Sequence, residues 1–122
     1  MKLISTYICK TSDIGVNDNL FGGTMLAWLD LAGGILASSA CKSNNVITLK
    51  MDEVLFKKPV KVKDLVRIYG RVDHMGITSL DITLEARRVN LLENTEEMVC
   101  STSMIFVRVD SDGKPKAIVK SN

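Results

Sequence analysis

The sequence predicts an α+β fold: one long central helix wrapped by a curved antiparallel sheet of about five strands. Three observations predict it. Residues 17–37 read NDNLFGGTMLAWLDLAGGILA, a polar lead-in to an apolar run with helical spacing. From Leu65 onward the hydrophobic period is two, the mark of strands with one buried face. The element order is strand, helix, then four strands, which leaves a single helix to be covered by one long sheet.

Leu3 to Lys10 alternates and carries Ile, Thr and Tyr, so it reads as the first strand. Thr11 to Phe21 is a polar loop. The helix then runs from about Gly23 to Ala40, with Asn19 or Thr24 able to cap its free N–H groups. Met25, Leu29, Ala32 and Leu36 share one face; Trp28, Leu31 and Ile35 share the neighbouring face. A helix apolar most of the way round is expected to be buried. One sheet face cannot cover it, so a partner subunit about a two-fold axis is expected. Gly33 and Gly34 lie inside the helix at a cost of about 1 kcal/mol each relative to Ala, which predicts another backbone packed close by. Asp30 is the only charged residue between Asp18 and Lys42. A carboxylate buried in such a helix must be neutralised, paired or functional. The bland reading is a structural pair. Gly22 and Gly23 upstream favour function, because free N–H groups at a helix start stabilise an oxyanion and glycine admits a substrate.

Lys42 to Asn45 is a turn, and Val46 to Phe56 a second strand with an irregularity at Asp52–Glu53. Lys57 to Asp64 is a basic connection containing Pro59, which suits an edge or turn. In the third strand Val66, Ile68, Gly70 and Val72 face one way, and Arg67, Tyr69 and Arg71 the other. His74 to Ile77 turns the chain. Leu80, Ile82, Leu84 and Ala86 then face in, while Ser79, Asp81, Thr83, Glu85 and Arg87 face a wet side. Asn90 to Glu97 reads as a polar loop and Met98 to Val109 as the last strand. Asp110 to Gly113 is a turn, and a loose polar tail is expected from about residue 111.

The 122 residues are expected to form one domain over 1–122, with 46% hydrophobic and 25% charged residues as in an ordinary globular protein. A net charge of +2 is too small to argue for nucleic acid. The N-terminus MKLISTYICK has no signal-peptide pattern. The helix is the nearest approach to a membrane span, and Asp30 with four glycines argues against one. No membrane partner is therefore expected. Cys9, Cys41 and Cys100 are odd in number and widely spaced, which fits reduced thiols in a cytoplasm. His74 is the lone histidine, so no metal site is expected.

Five motifs in this order then resemble a known family: Asn19-Leu20-Phe21-Gly22-Gly23, Asp30 within Trp28-Leu29-Asp30-Leu31-Ala32-Gly33, Phe56-Lys57-Lys58-Pro59-Val60, Met75-Gly76-Ile77-Thr78-Ser79, and Phe106-Val107-Arg108-Val109-Asp110. They resemble hotdog-fold acyl-CoA thioesterases, nearest the YciA-like and cytosolic acyl-CoA hydrolase branch, over nearly the whole chain. The resemblance implies hydrolysis of acyl-CoA to free acid and CoA with no cofactor, CoA being part of the substrate. It implies a homodimer as active unit, often a trimer of dimers. Asp30 matches the catalytic carboxylate, and Gly23, with Gly22, the backbone donor to the thioester carbonyl. Asn19 matches a second catalytic residue of two-domain relatives. Phe21 stands where many relatives carry His, and Asn19 where the YciA-like branch has Asp. For the coenzyme the resemblance favours the Gly76, Thr78 and Ser79 turn with Arg87 and Arg88. Lys58, with Lys57 and Lys61, adds candidate charge, though any single Lys is ordinarily a solvated side chain. Met25, Leu29, Met51 and Phe56 are candidate walls for an acyl tunnel, each equally at home in a plain core.

Gly23 and Asp30 on one helix are ~10 Å apart, too far to share one carbonyl. Two antiparallel helices across a dimer axis would bring Gly23 of one subunit opposite Asp30 of the other. Asp30 then acts as general base on water, or attacks directly to give a mixed anhydride. A non-catalytic acyl-CoA-binding sensor of the same fold is the competing reading. It gains nothing from a carboxylate beside the thioester.

Overall fold

The computed structural model describes residues 1–119. The elements are β1 (Lys2–Ile8), a single 3-10 turn (Thr11–Asp13), α1 (Gly22–Cys41), β2 (Val46–Phe56), β3 (Leu65–Met75), β4 (Ser79–Asn90) and β5 (Thr95–Arg108). The strands form one antiparallel sheet in the order β1-β3-β4-β5-β2. α1 carries the chain from one sheet edge to the other and touches all five strands. This is the expected α+β architecture, a hotdog fold.

The core lies between α1 and the inner sheet face. Leu80, Ile82, Leu84 and Ala86 of β4 have no exposed surface, and they meet Leu29, Ala32 and Ala37 of the helix. Trp28 stacks on Tyr7 of β1 with ring centroids 4.8 Å apart. Gly70 of β3 permits this close packing: a Cβ there would lie 2.8 Å from Leu84 and 2.9 Å from Leu36. β2 carries the expected irregularity, a register break between Asp52 and Leu55 with Glu53 at φ 42°, and a second break between Thr48 and Lys50.

Several expectations are corrected. α1 is long and apolar enough by length and composition to cross a membrane, and it is not buried all round, since 44% of its apolar window lies inside the fold. Met25, Trp28, Leu29, Ala32, Leu36 and Ala37 are buried, while Leu31 and Ile35 on the other side are 59% and 51% exposed. Gly33 accommodates a side chain instead of a backbone: a Cβ on it would lie 3.0 Å from the Phe106 ring. The helix begins at Gly22 and its N-cap is Phe21, with no side-chain cap from Asn19 or Thr24. The Phe21 carbonyl accepts from the Thr24 and Met25 N–H groups at 3.0 and 3.1 Å.

The expected loop 90–97 shrinks to residues 91–94, because Glu96 and Glu97 belong to β5 and pair across the sheet. The outer face of β4 is half-buried where a wet face was expected, since Ser79, Asp81, Thr83, Glu85 and Arg87 are partly covered by neighbouring side chains. The tail is not loose up to residue 118. Ile118 is 7% exposed and its N–H donates to the Ile77 carbonyl at 2.7 Å, and Arg108 Nη1 donates to the Ala117 carbonyl at 2.7 Å. The rest of the expected tail, 120–122, lies outside the described residues.

Candidate active site

Asp30 projects from the middle of α1 on its open side, exposed where a buried carboxylate was expected. It has one partner. Thr48 Oγ1 of β2 donates to Asp30 Oδ1 at 2.6 Å. The sequence gives this pairing no visible signal: Thr48 is a β-branched residue in a β-branched strand and reads as an ordinary strand former. The one available clue was that it is the sole hydroxyl in the apolar run Val46-Ile47-Thr48-Leu49. The pair stands at the head of a groove of about 550 Å³ between α1 and β2.

A second cavity, of about 420 Å³, lies at the helix N-terminus. Asn19, Gly22, Met25, Phe56, Lys58 and Val60 are among its walls. Two of the candidate tunnel residues, Met25 and Phe56, do line it. Leu29 is fully buried and Met51 packs against the core, so both are structural. The Phe56 ring lies 3.6 Å from where a Cβ on Gly22 would sit. The Phe21 ring covers Gly23 so closely that a Cβ there would be 2.6 Å from it. Glycine at both positions therefore keeps two aromatic rings against the helix start. Asn19 Oδ1 accepts from Lys61 Nζ at 2.5 Å.

Three of the basic candidates, Lys58, Arg87 and Arg88, are tied down by ion pairs. Glu97 binds both Lys58 and Arg88, the latter at 2.6 Å, and Arg88 also donates to the Pro59 carbonyl at 2.6 Å. Lys58 first and Arg88 second hold the Glu97 carboxyl below the usual range. Arg87 lies on the outer sheet face over the Tyr69 ring, 4.1 Å from its centroid, between Glu85 and Glu96. Arg67 and Tyr69 also donate to Glu96, each at 2.8 Å, and Arg67 is the main reason that carboxyl is held low.

The candidates fall into two separated groups within one chain. Asn19, Gly22, Gly23, Lys58 and Arg88 gather at the end of the sheet where β2 finishes. Gly76, Thr78 and Ser79 form the β3–β4 turn at the other end, where the Gly76 N–H donates to the Ser79 carbonyl at 2.7 Å and Thr78 accepts from the Arg108 N–H at 2.9 Å. Ser79 and Arg88 lie at opposite ends of β4, ~30 Å apart at ~3.4 Å per residue. The turn and the Arg pair therefore do not meet in one chain. Among the described residues no group of His, Cys, Asp and Glu could hold a metal ion.

Residues 17–93, which include the helix, β2 and the open carboxylate, match the family model for the thioesterase superfamily. The chain belongs to that superfamily. Its relatives match over nearly the whole length. The acyl-CoA thioester hydrolase YciA of Escherichia coli (strain K12) is 30% identical over 119 residues, covering 95% of this chain and 89% of YciA. The uncharacterized acyl-CoA thioester hydrolase YkhA of Bacillus subtilis (strain 168) is 30% identical over 114 residues, covering 93% of this chain and 66% of YkhA. The same fold is seen in HI0827, a hexameric broad-specificity acyl-coenzyme A thioesterase, in a form with one Asp replaced by Ala. Its TM-score is 0.92 at 27% identity, covering 98% of this chain and 88% of that one. The acyl-CoA hydrolase of Staphylococcus aureus, in complex with butyryl coenzyme A and coenzyme A, has a TM-score of 0.88 at 25% identity, covering 97% and 73%. The thioesterase superfamily thus accounts for the whole architecture, and the side chains of this member fill it in.

Proposed function

We propose that this chain hydrolyses acyl-CoA thioesters to free acid and CoA, and that it does so as a homodimer. The observation that carries the reading is the Thr48–Asp30 hydrogen bond at the mouth of an open groove. Thr48 occupies one carboxylate oxygen and leaves the other free. Asp30 takes a proton from water, hydroxide adds to the carbonyl, the C–S bond breaks, and the proton passes to the departing thiolate. Direct attack by Asp30, giving a mixed anhydride that water then cleaves, uses the same geometry. The Gly23 N–H of the partner subunit, with that of Gly22 beside it, stabilises the oxyanion, worth roughly 3 kcal/mol for one donor. Asn19 orients the water or the ester.

The dimer is supported by an eleven-residue edge strand, β2, whose outer edge is unpaired among the described residues and which exposes Leu49 and Phe56. Antiparallel pairing of β2 with its copy sets the start of one against the end of the other. That brings the Gly76, Thr78 and Ser79 turn of one subunit to the same end as Lys58 and Arg88 of its partner. The coenzyme phosphates then lie near Lys58 and Arg88, with the turn beside them, and Arg87 stays structural. Three such dimers make a hexamer, the state named for HI0827. The three free, buried cysteines support a reducing cytoplasm.

The test is CoA release from an acyl-CoA panel, read with a thiol reagent. Cys9, Cys41 and Cys100 are buried, and burial pushes the Cys100 thiol up to about 11, so the reagent reports CoA. Turnover by the native protein that falls at least a hundredfold in Asp30→Asn supports the reading. Tight acyl-CoA binding with no turnover replaces it with the sensor.

A further inference from the structure

The register of β4 against β5 breaks between Ala86 and Arg87. Ala86 faces Cys100 and Arg87 faces Met98, so Val99 is the extra residue of a β-bulge. Side chains alternate along a strand, and one extra residue moves every side chain beyond it to the other face. Cys100, Thr102 and Met104 point into the core, so an unbroken β5 would place Glu97 on the outer face with Ser101 and Ser103. The bulge sets Glu97 directly opposite Arg88 instead, on the face that Arg88 shares with Leu84 and Ala86.

The same bulge fixes a third residue. The Val99 carbonyl accepts from the Lys57 N–H at 2.8 Å and from the Lys58 N–H at 3.4 Å, which anchors the backbone of Lys58 two residues from Glu97. Lys58 Nζ then donates to Glu97 Oε1, and Arg88 Nη2 donates to Glu97 Oε2 at 2.6 Å. Two cations from different segments converge on one carboxylate and occupy both its oxygens. The Lys58 and Glu97 side chains are 50% and 42% exposed, and ion pairs that open add little to stability. Folding alone therefore gives no reason for a bulge that turns an acid towards these two cations. A phosphate accepts the same charge-assisted hydrogen bonds from Lys and Arg as a carboxylate does.

We propose that Glu97 fills the phosphate place of the coenzyme in the free protein, is displaced from Lys58 and Arg88 when the coenzyme binds, and so sets how tightly phosphate-bearing ligands are held. This rests on the thioesterase reading above and on its assignment of Lys58 and Arg88 to the coenzyme phosphates. Glu97 cancels one of the two positive charges and stands between them. As a tethered group it competes at high effective concentration with any anion arriving from solution. A ligand must bring enough charge and enough oxygens to replace it at both cations, which favours a diphosphate over a single carboxylate.

Glu97→Gln keeps the size of the side chain and removes its charge. The test measures KM for butyryl-CoA, and the inhibition constant of inorganic pyrophosphate against that ester, in the native protein and in Glu97→Gln at one ionic strength. Both constants fall at least threefold in the variant, with kcat within twofold of native. A purely structural ion pair would not move the pyrophosphate constant. Constants that do not change overturn the proposal and leave the thioesterase reading standing. A rise in KM also overturns it, by making Glu97 the residue that holds the two cations in position for the coenzyme. So does a fall in KM with pyrophosphate inhibition unchanged, which places the effect away from Lys58 and Arg88. A native protein that hydrolyses no member of an acyl-CoA panel defeats the thioesterase reading itself, and this proposal with it.

Discussion

On the side of α1 that faces the sheet, Leu29, Ala32 and Ala37 have no exposed surface, and Gly33 makes room for the Phe106 ring. On the other side, within the same turns, Leu31 and Ile35 stand half-exposed beside Asp30, and Gly34 faces open space. The two sides use nearly the same residue types. One is complete within the chain: every side chain has its neighbours, and a change of one methylene will be felt. The other is unfinished: it carries apolar surface without cover, a carboxylate with one hydrogen bond, and a glycine without a packing reason. Two sides so alike in composition and so different in completion indicate that the first makes the fold and the second is reserved for what the chain binds.

The sharpest way to break this contrast is to substitute one residue from each side. Asp30→Asn is expected to lower kcat by a factor on the order of 10²–10⁴, the usual contribution of a general base, with a melting temperature close to native. Leu29→Ala should do the reverse. It should cost about 2–5 kcal/mol in urea unfolding, with the remaining folded enzyme still active. If Asp30→Asn unfolds the protein, the open side is structural after all. Next comes the bond that joins α1 to β2. Thr48→Val removes the donor with little change of shape, and a hydrogen bond to a charged group is worth about 1.5–3 kcal/mol, so kcat should fall roughly 10- to 150-fold. KM should change little, and Thr48→Ser should restore most of the rate. A loss in KM instead of kcat would make Thr48 a binding residue and not the group that positions Asp30.

The adjacent glycines give a smaller but cleaner contrast. Gly34→Ala should stabilise by about 1 kcal/mol through helix propensity. Gly33→Ala gains the same propensity but drives a methyl against the buried Phe106 ring, an overpacking cost of typically 1–3 kcal/mol, so the net change should be a loss of about 1 kcal/mol. Equal effects in thermal melts would show the two sides packed alike. The smallest effect belongs to the outer sheet face, remote from both. Arg67 and Tyr69 hold the Glu96 carboxyl below its ordinary value. A depressed carboxyl pKa stabilises the folded state above the unfolded value of about 4.3, and that stability is lost as pH falls through the folded value. Glu96→Gln should therefore lower stability by about 1 kcal/mol at pH 7, and the gap should close as the pH is taken down through the acid range. A gap independent of pH would mean that the contacts of Glu96 matter and its charge does not.

Much of the fold was legible in the residues. The period of two from Leu65 assigned β3 and β4 to their faces, and Leu80, Ile82, Leu84 and Ala86 all point into the core as that period requires. Asp52–Glu53 announced a break in β2 by placing two adjacent acids in a strand otherwise made mostly of apolar residues, and the register slips there. The misread segments share one cause. The Glu96–Glu97 pair reads as loop by charge, yet cross-strand partners pull both into β5. The tail after residue 111 reads as loose by composition, yet Ile118 finds the β3–β4 turn. In each case a contact with a sequentially distant group overrode a local signal.

By itself, the sequence determined the elements, their order, the sidedness of the strands, and the oddity of one carboxylate in an apolar helix. These follow from the geometry of the chain, which repeats every 2 or 3.6 residues and is the same wherever the segment lies. Only the tertiary structure decided which side of α1 is covered, which of two neighbouring glycines has room beside it, and that Thr48 meets Asp30. Those depend on the register of an edge strand against a helix, and no local period encodes a register between elements.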